Sequence, residues 1–262
     1  MSGGRASLAL LRERARVLGS ARALRRLARE LDADDRRGAA QLAALCRGRA
    51  ERLALEARRM RGLFALREEL QARGLKWVAG VDEVGVGPLA GPVVAAAVIL
   101  AHEVDLPGLD DSKRLRPEER ERLDVAIRAQ AVAVGVAEVG PEVIDRVNVY
   151  QASLRAMRQA VKALDPAPDH VLVDARRIPA LDLSQTALVG GDARDGSIAA
   201  ASIVAKVHRD ARMRELDGRY PGYGFARHKG YPTSEHLERL RRLGPCEIHR
   251  RSYAPVAQLS LL

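Results

Sequence analysis

The sequence has 262 residues, 47% of them apolar and only 3% aromatic, and a formal net charge of +10. That length suits one domain of ordinary size with an appendage, or two small domains, with a core packed by Ala, Val, Leu and Ile. It excludes a membrane span, because the longest apolar run, Pro88 to Ala101, is too short and holds two prolines and a glycine. It equally excludes a disulfide framework, because Cys46 and Cys246 are the only cysteines.

Two isolated thiols suit a reducing cytoplasm. Glu13, Glu30, Asp32, Asp34 and Asp35 in the first part of the chain, with no apolar core among them, argue against a targeting leader. The excess charge is unevenly placed. Residues 1–75 carry 18 arginines against 9 acids, a net of +9, whereas 76–262 carry 26 basic residues against 25 acidic ones. A basic segment on a neutral body suits a nucleic-acid partner, since each neutralised phosphate releases counterions. On charge alone, a solvated helical surface is an equal reading.

Along the chain, Ala6 to Arg73 reads as two or three helices. It is rich in Ala, Leu, Arg and Glu and has no proline, and its break falls at Asp32 to Gly38. The domain boundary is set between 1–75, a basic helical extension, and 76–262. Lys76 to Val84, Pro92 to Leu100 and Val132 to Val139 read as strands, with a helix from Pro117 to Ala129 opened by its proline. A single helix from Pro141 to Ala163 follows, then strands at His170 to Asp174 and Thr186 to Val189. Helices at Ser197 to Leu216 and Thr233 to Leu243 complete the chain. Two strands in succession, then strands alternating with helices, predict an α/β fold with a mixed central sheet flanked by helices.

The chemistry concentrates at Gly80-Val81-Asp82-Glu83-Val84-Gly85-Val86-Gly87-Pro88. Two adjacent acids inside an apolar strand are costly to bury without a partner. A hard divalent cation such as Mg²⁺ or Mn²⁺ would compensate them. Neighbouring strand residues face opposite ways, so for both to serve one site the strand must end or bulge there, which Gly85 and Gly87 allow. The alternative is a surface ion-pair couple on an edge strand. Asp174 ends a second apolar run, where α/β sheets gather ligands, though a lone terminal Asp also serves as a cap. Asp192, in Gly190-Gly191-Asp192, stands ahead of a helix and would equally suit an N-cap. Four acids from separate segments could converge on two metal ions, a geometry for phosphoryl transfer to water.

The segment from Gly80 to Leu100 closely resembles the opening motif of the type 2 ribonuclease H family, bacterial ribonuclease HII. The resemblance continues through Leu109 to Leu115, Asn148 to Met157, Val171 to Ala175, Gly191 to Asp210, His228 to Thr233 and Gly244 to Tyr253. It implies a ribonuclease H-like catalytic domain at 76–262, after an N-terminal helical extension like that of some bacterial members. It implies an endonuclease that hydrolyses the RNA strand of RNA–DNA hybrids and ribonucleotides embedded in duplex DNA. Products would be 5′-phosphate and 3′-hydroxyl ends. Asp82, Glu83, Asp174 and Asp192 would be the catalytic carboxylates holding Mn²⁺ or Mg²⁺, with Asp82 shared between two ions.

By the same resemblance, Gly85, Val86 and Gly87 would lie against the substrate, their main chain reading the ribose 2′-hydroxyl. Ser112 and Lys113 would contact phosphate, and Tyr231 would stack on the neighbouring deoxyribose. The protein would act as a cytoplasmic monomer with no membrane partner. The sequence departs from the family at Val86, where Gly-Arg-Gly is usual, and at Gly190, where Lys often stands. The loss of an arginine contact at 86 leaves a second expectation: a hybrid-binding protein with weakened catalysis.

Overall fold

The computed structural model describes residues 6–261. The first five residues and Leu262 of the expected domains lie outside the described residues. The chain forms two compact units, residues 1–62 and 63–262, divided within the third helix. The expected boundary at 75/76 lies beyond that division, because Leu63, Phe64, Arg67 and Leu70 are already buried within the second unit.

The first unit holds α1 (Leu8–Val17), α2 (Ala21–Asp32) and the start of α3 (Ala39–Ala72). Ser7 and Ser20 cap α1 and α2 by accepting from the N–H groups of Leu10 and Ala23, each at 3.2 Å. Leu24, Leu27, Leu31, Leu42 and Cys46 pack its core. The expected break at 32–38 falls between α2 and α3, where Gly38 takes a φ of +96°.

In the second unit, β1 (Val78–Val84) is the middle strand of a five-stranded sheet. It pairs antiparallel with β2 (Val93–Leu100), which pairs antiparallel with β3 (Ala131–Val139). On its other side it pairs parallel with β4 (His170–Asp174), which pairs parallel with β5 (Ser184–Leu188). The mixed sheet read from the sequence is therefore present. Between β2 and β3 lies α4 (Pro117–Gln130); α5 (Pro141–Val147) and α6 (Val149–Lys162) join β3 to β4.

The expected continuous helix 141–163 is two helices. Asn148 takes a φ of +69°, which ends α5, and its side chain accepts from Gln151 N at 3.0 Å to start α6. After β5 come a 3₁₀ turn (Gly191–Ala193), α7 (Gly196–Arg219), the short α8 (Phe225–His228), α9 (Ser234–Leu243) and α10 (Ala254–Ala257). A further 3₁₀ turn spans Gln258–Leu261.

Side-chain alternation along β1 sorts the two faces. Ala79 and Val81 pack with α6 residues Ala152, Ala156 and Met157. Gly80 faces α7, and a Cβ there would stand 2.0 Å from the Ser197 carbonyl carbon. Strand and helix are thus in backbone contact. Both faces being covered explains why every residue of β2 is apolar and buried. Among the described residues no helix is long and apolar enough to cross a membrane.

Candidate functional site

Asp82 lies on the α7 face of β1 by alternation with Gly80, and Asp174 ends the parallel neighbour β4. The register pairs Val81 with Val173, so the two aspartates stand side by side at the strand ends. β1 neither ends nor bulges at the acids, staying regular against β2 through Val84; its pairs with β4 stop at Val81, so both acids stand beyond that parallel ladder. Across the ladder Asp82 and Glu83 face Ala96 and Ala95, small residues that leave the space open. Asp82, Glu83 and Asp174 each offer an oxygen within 4.8 Å of the others.

Burial pushes the Asp82 carboxyl well above the ordinary aspartate range, and the Glu83 charge adds to that, while the Ser202 hydroxyl opposes it. Burial raises Glu83 as well, against the pull of Arg176. Asp174 is also raised by burial, opposed by the Gly191 N–H, which donates to its Oδ1 at 2.7 Å. Glu83 Oε2 is buried with no hydrogen-bond partner. Three carboxylates in reach of one another, all made harder to ionise, with one oxygen orphaned, form a hard-oxygen donor set short of positive charge. The residues fit a divalent cation.

Asp192 is buried in the 3₁₀ turn after β5 and does not belong to that trio. Its Oδ2 accepts from Lys113 Nζ at 3.1 Å, and Asp195, not Asp192, caps α7. Burial lowers the Lys113 ammonium, but the bond and charge of Asp192 outweigh it and leave the lysine raised. Ser112 turns inward, its hydroxyl buried and 2.8 Å from Ser202 Oγ, while Lys113 is largely exposed. Ser202 thereby links the Ser112 loop to Asp82.

Beside the trio the chain turns through Gly85, Val86 and Gly87. Gly85 has a φ of +92°, and a Cβ on it would lie 2.3 Å from Arg209 Nε, so it is glycine for the fold's sake. Gly87 has no such need; the nearest atom to a Cβ there would be Tyr231 Cε1 at 3.8 Å. Val86 and Tyr231 are both exposed. The Tyr231 carbonyl accepts from His236 Nδ1 at 3.0 Å, and His236 Nε2 accepts from His249 Nε2 at 3.1 Å. The Cys246 N–H donates to His249 Nδ1, which fixes this direction of the bonds and both rings neutral. Burial holds both histidines down, to about 4.

Sequence reasoning missed Ser202, Arg209, Arg250 and this histidine pair. All but His236 lie inside a segment that carried the resemblance, yet a serine, an arginine or a histidine read singly looks like surface.

A family model described as Ribonuclease HII matches residues 79–256. The ribonuclease HII of Geobacillus kaustophilus (strain HTA426) is 54% identical over 220 residues, 84% of this chain and 84% of that one. That of Myxococcus xanthus (strain DK1622) is 53% identical over 229 residues, 87% of this chain and 78% of its own. Among solved structures, the ribonuclease H2 of Pyrococcus horikoshii OT3 is similar with a TM-score of 0.61 at 27% identity, over 71% of this chain and 97% of that one.

Proposed function

Because the chain belongs to the ribonuclease HII family, we propose that it is an endonuclease that hydrolyses the RNA strand of RNA–DNA hybrids, including single ribonucleotides embedded in duplex DNA. The observation that carries this reading is the convergence of buried Asp82 with half-buried Glu83 and Asp174, beside an open shelf of Gly87 and Tyr231. Asp82, Glu83 and Asp174 would hold Mn²⁺ or Mg²⁺, with Asp192 beside them at the Lys113 contact. The chemistry supplied there is Lewis acidity toward the attacking water and the leaving oxygen, in the two-ion manner. The ends left are 5′-phosphate and 3′-hydroxyl.

The protein's own groups position the substrate. Gly87 leaves room for the strand to approach the main chain, whose N–H groups would meet the ribose 2′-hydroxyl. Tyr231 would present a ring for the adjacent deoxyribose, and exposed Lys113, with the Ser112 loop beside it, would contact phosphate. One chain supplies every residue named, which suits a monomer, and the free Cys46 and Cys246 suit the cytoplasm. The test is incubation of a duplex carrying one ribonucleotide with the protein and Mg²⁺ or Mn²⁺. Scission at a phosphodiester next to the ribonucleotide, leaving 5′-phosphate and 3′-hydroxyl ends, supports the reading; an intact duplex at every metal concentration rejects it.

Val86 favours a second reading, a hybrid binder with weakened turnover, since an exposed valine stands where the family usually has arginine. Val86→Arg should add a charge-assisted phosphate contact of about 1–3 kcal/mol. The expected outcome is a KM lowered about tenfold with kcat unchanged. A kcat that rises from near zero would favour the binder instead.

The basic first unit is proposed to add nonspecific affinity. Residues 1–62 carry 16 arginines against 7 acids. Deleting them should weaken binding to any duplex and flatten the dependence of log K on log salt concentration. An unchanged slope in a salt titration would mark that charge as solvated surface.

A further inference from the structure

Arg209 and Arg250 are both fully buried, and neither makes an ion pair among the described residues. Acids act on them only through space: Asp210 and Glu138 on Arg209, Asp145 on Arg250. Burying a guanidinium without a carboxylate is costly unless its donors are satisfied. Here backbone carbonyls satisfy them. Arg250 donates from Nη2 to Gly85 O at 2.6 Å and from Nη1 to Val86 O at 2.9 Å, and its Nε and Nη2 both reach Gly91 O. Arg209 donates to the carbonyls of Pro92, Ala90 and Lys229 at 3.0, 3.2 and 3.0 Å. Its guanidinium carbon lies 5.9 Å from the Tyr231 ring centroid. The Tyr253 hydroxyl, which accepts from Arg250 Nη1, also donates to Val86 O at 2.6 Å.

These bonds dictate where the opposite side of each peptide points. Within a planar trans peptide the carbonyl and the following N–H point in opposite directions. Carbonyls of Gly85 and Val86 drawn inward therefore turn the N–H groups of Val86 and Gly87 outward. Among the described residues neither N–H has an acceptor. A rigid fork holds two successive carbonyls in fixed directions, whereas the three donors of an ammonium rotate about a single point. Arg209 ties the same loop to the Lys229 carbonyl, two residues from Tyr231, and so fixes the spacing between the two.

We propose that Arg209 and Arg250 are positioning residues that set discrimination for a ribonucleotide, by aiming the Val86 and Gly87 N–H groups at the 2′-hydroxyl and fixing Tyr231 beside them. This rests on the function proposed above. The test is made on the full chain with Mg²⁺, comparing the KM of a duplex carrying one ribonucleotide with the Ki of an all-DNA duplex of the same sequence as competitor. Arg250→Lys keeps the charge and loses the fork; Tyr253→Phe removes the hydroxyl that donates to Val86 O and accepts from Arg250 Nη1 while keeping the ring, and melting curves check that each is folded.

The expected result is a Ki/KM ratio that falls about tenfold in Arg250→Lys and a few-fold in Tyr253→Phe, with Ki unchanged. A role in stability alone would move the melting temperature and leave that ratio intact. An unchanged ratio in folded Tyr253→Phe, or in Arg250→Lys where it folds, overturns the proposal while the proposed function stands. Should the unaltered protein show no preference for the ribonucleotide, the reading of the glycine loop falls and the clamp with it.

Discussion

On the proposed function, replacing Asp82 with Asn should abolish strand cleavage and, in the absence of metal, should raise the melting temperature. The two effects have one cause. Asp82 is buried beside Glu83 and Asp174, so ionising it without a cation costs the fold, and its carboxyl sits well above the ordinary range through burial first and the Glu83 charge second. A group whose folded pKa is raised adds stability that is fully present below the unfolded value and is lost as pH rises through the folded one. The metal-free protein should therefore lose stability on going from acid to neutral pH, and Asp82→Asn should lose less.

Each kcal/mol regained is worth roughly 2–4 °C in a body of this size. On the proposed function a divalent cation should reverse the ranking: at a concentration about a hundredfold above Kd it should add ~2.7 kcal/mol to the protein that binds it, and much less to the variant. Loss of a carboxylate that helps hold the metal removes several kcal/mol of transition-state stabilisation, a fall of about a thousandfold or more in kcat/KM. Melting curves in EDTA and in Mg²⁺, beside the cleavage assay, check all three. Equal metal-dependent shifts in the two proteins would mean that Asp82 does not hold the ion.

The elements that were legible in the sequence are those whose burial leaves an unbroken signature. β2 is apolar at every position because helices cover both its faces, and the Asp82–Glu83 pair stood out because nothing else in its strand is polar. What was not legible depends on single dihedrals and on partners far along the chain. The helical period runs through Asn148, but its positive φ cuts one helix into two. Ser112 has the composition of a phosphate loop, yet Ser202, ninety positions away, draws its hydroxyl inward at 2.8 Å. Arg209 and Arg250 count as charge in any composition, and charge reads as surface. Only the tertiary structure supplies the backbone carbonyls that let them be buried. The contact of Asp192 with Lys113, 79 positions away, is equally invisible in the sequence.

The two glycines of Gly85-Val86-Gly87 should respond to the same substitution in opposite ways. Gly85→Ala places a methyl 2.3 Å from Arg209 Nε and 2.9 Å from Pro92 O, at a φ of +92° that an alanine rarely adopts. The strained backbone costs about 1–3 kcal/mol, and displacing a buried side chain held by three carbonyls costs a similar amount again. A fall of about 10 °C or more in melting temperature is expected. Gly87→Ala meets only Tyr231 Cε1 at 3.8 Å, ordinary van der Waals contact, at a φ outside the left-handed region. Its melting temperature should stay within about 2 °C of the unaltered protein, since surface substitutions of this kind change stability by roughly 0.5 kcal/mol.

Cleavage reverses the order of interest. On the proposed function the methyl at 87 would take up room on the shelf where the ribose approaches the backbone, so kcat/KM should fall about tenfold or more through loss of a close hydrogen bond and steric displacement. A folded Gly87→Ala with full activity would move the substrate away from this shelf. A Gly85→Ala as stable as its parent would mean that the arginine beneath it is not held as tightly as its three carbonyl bonds imply.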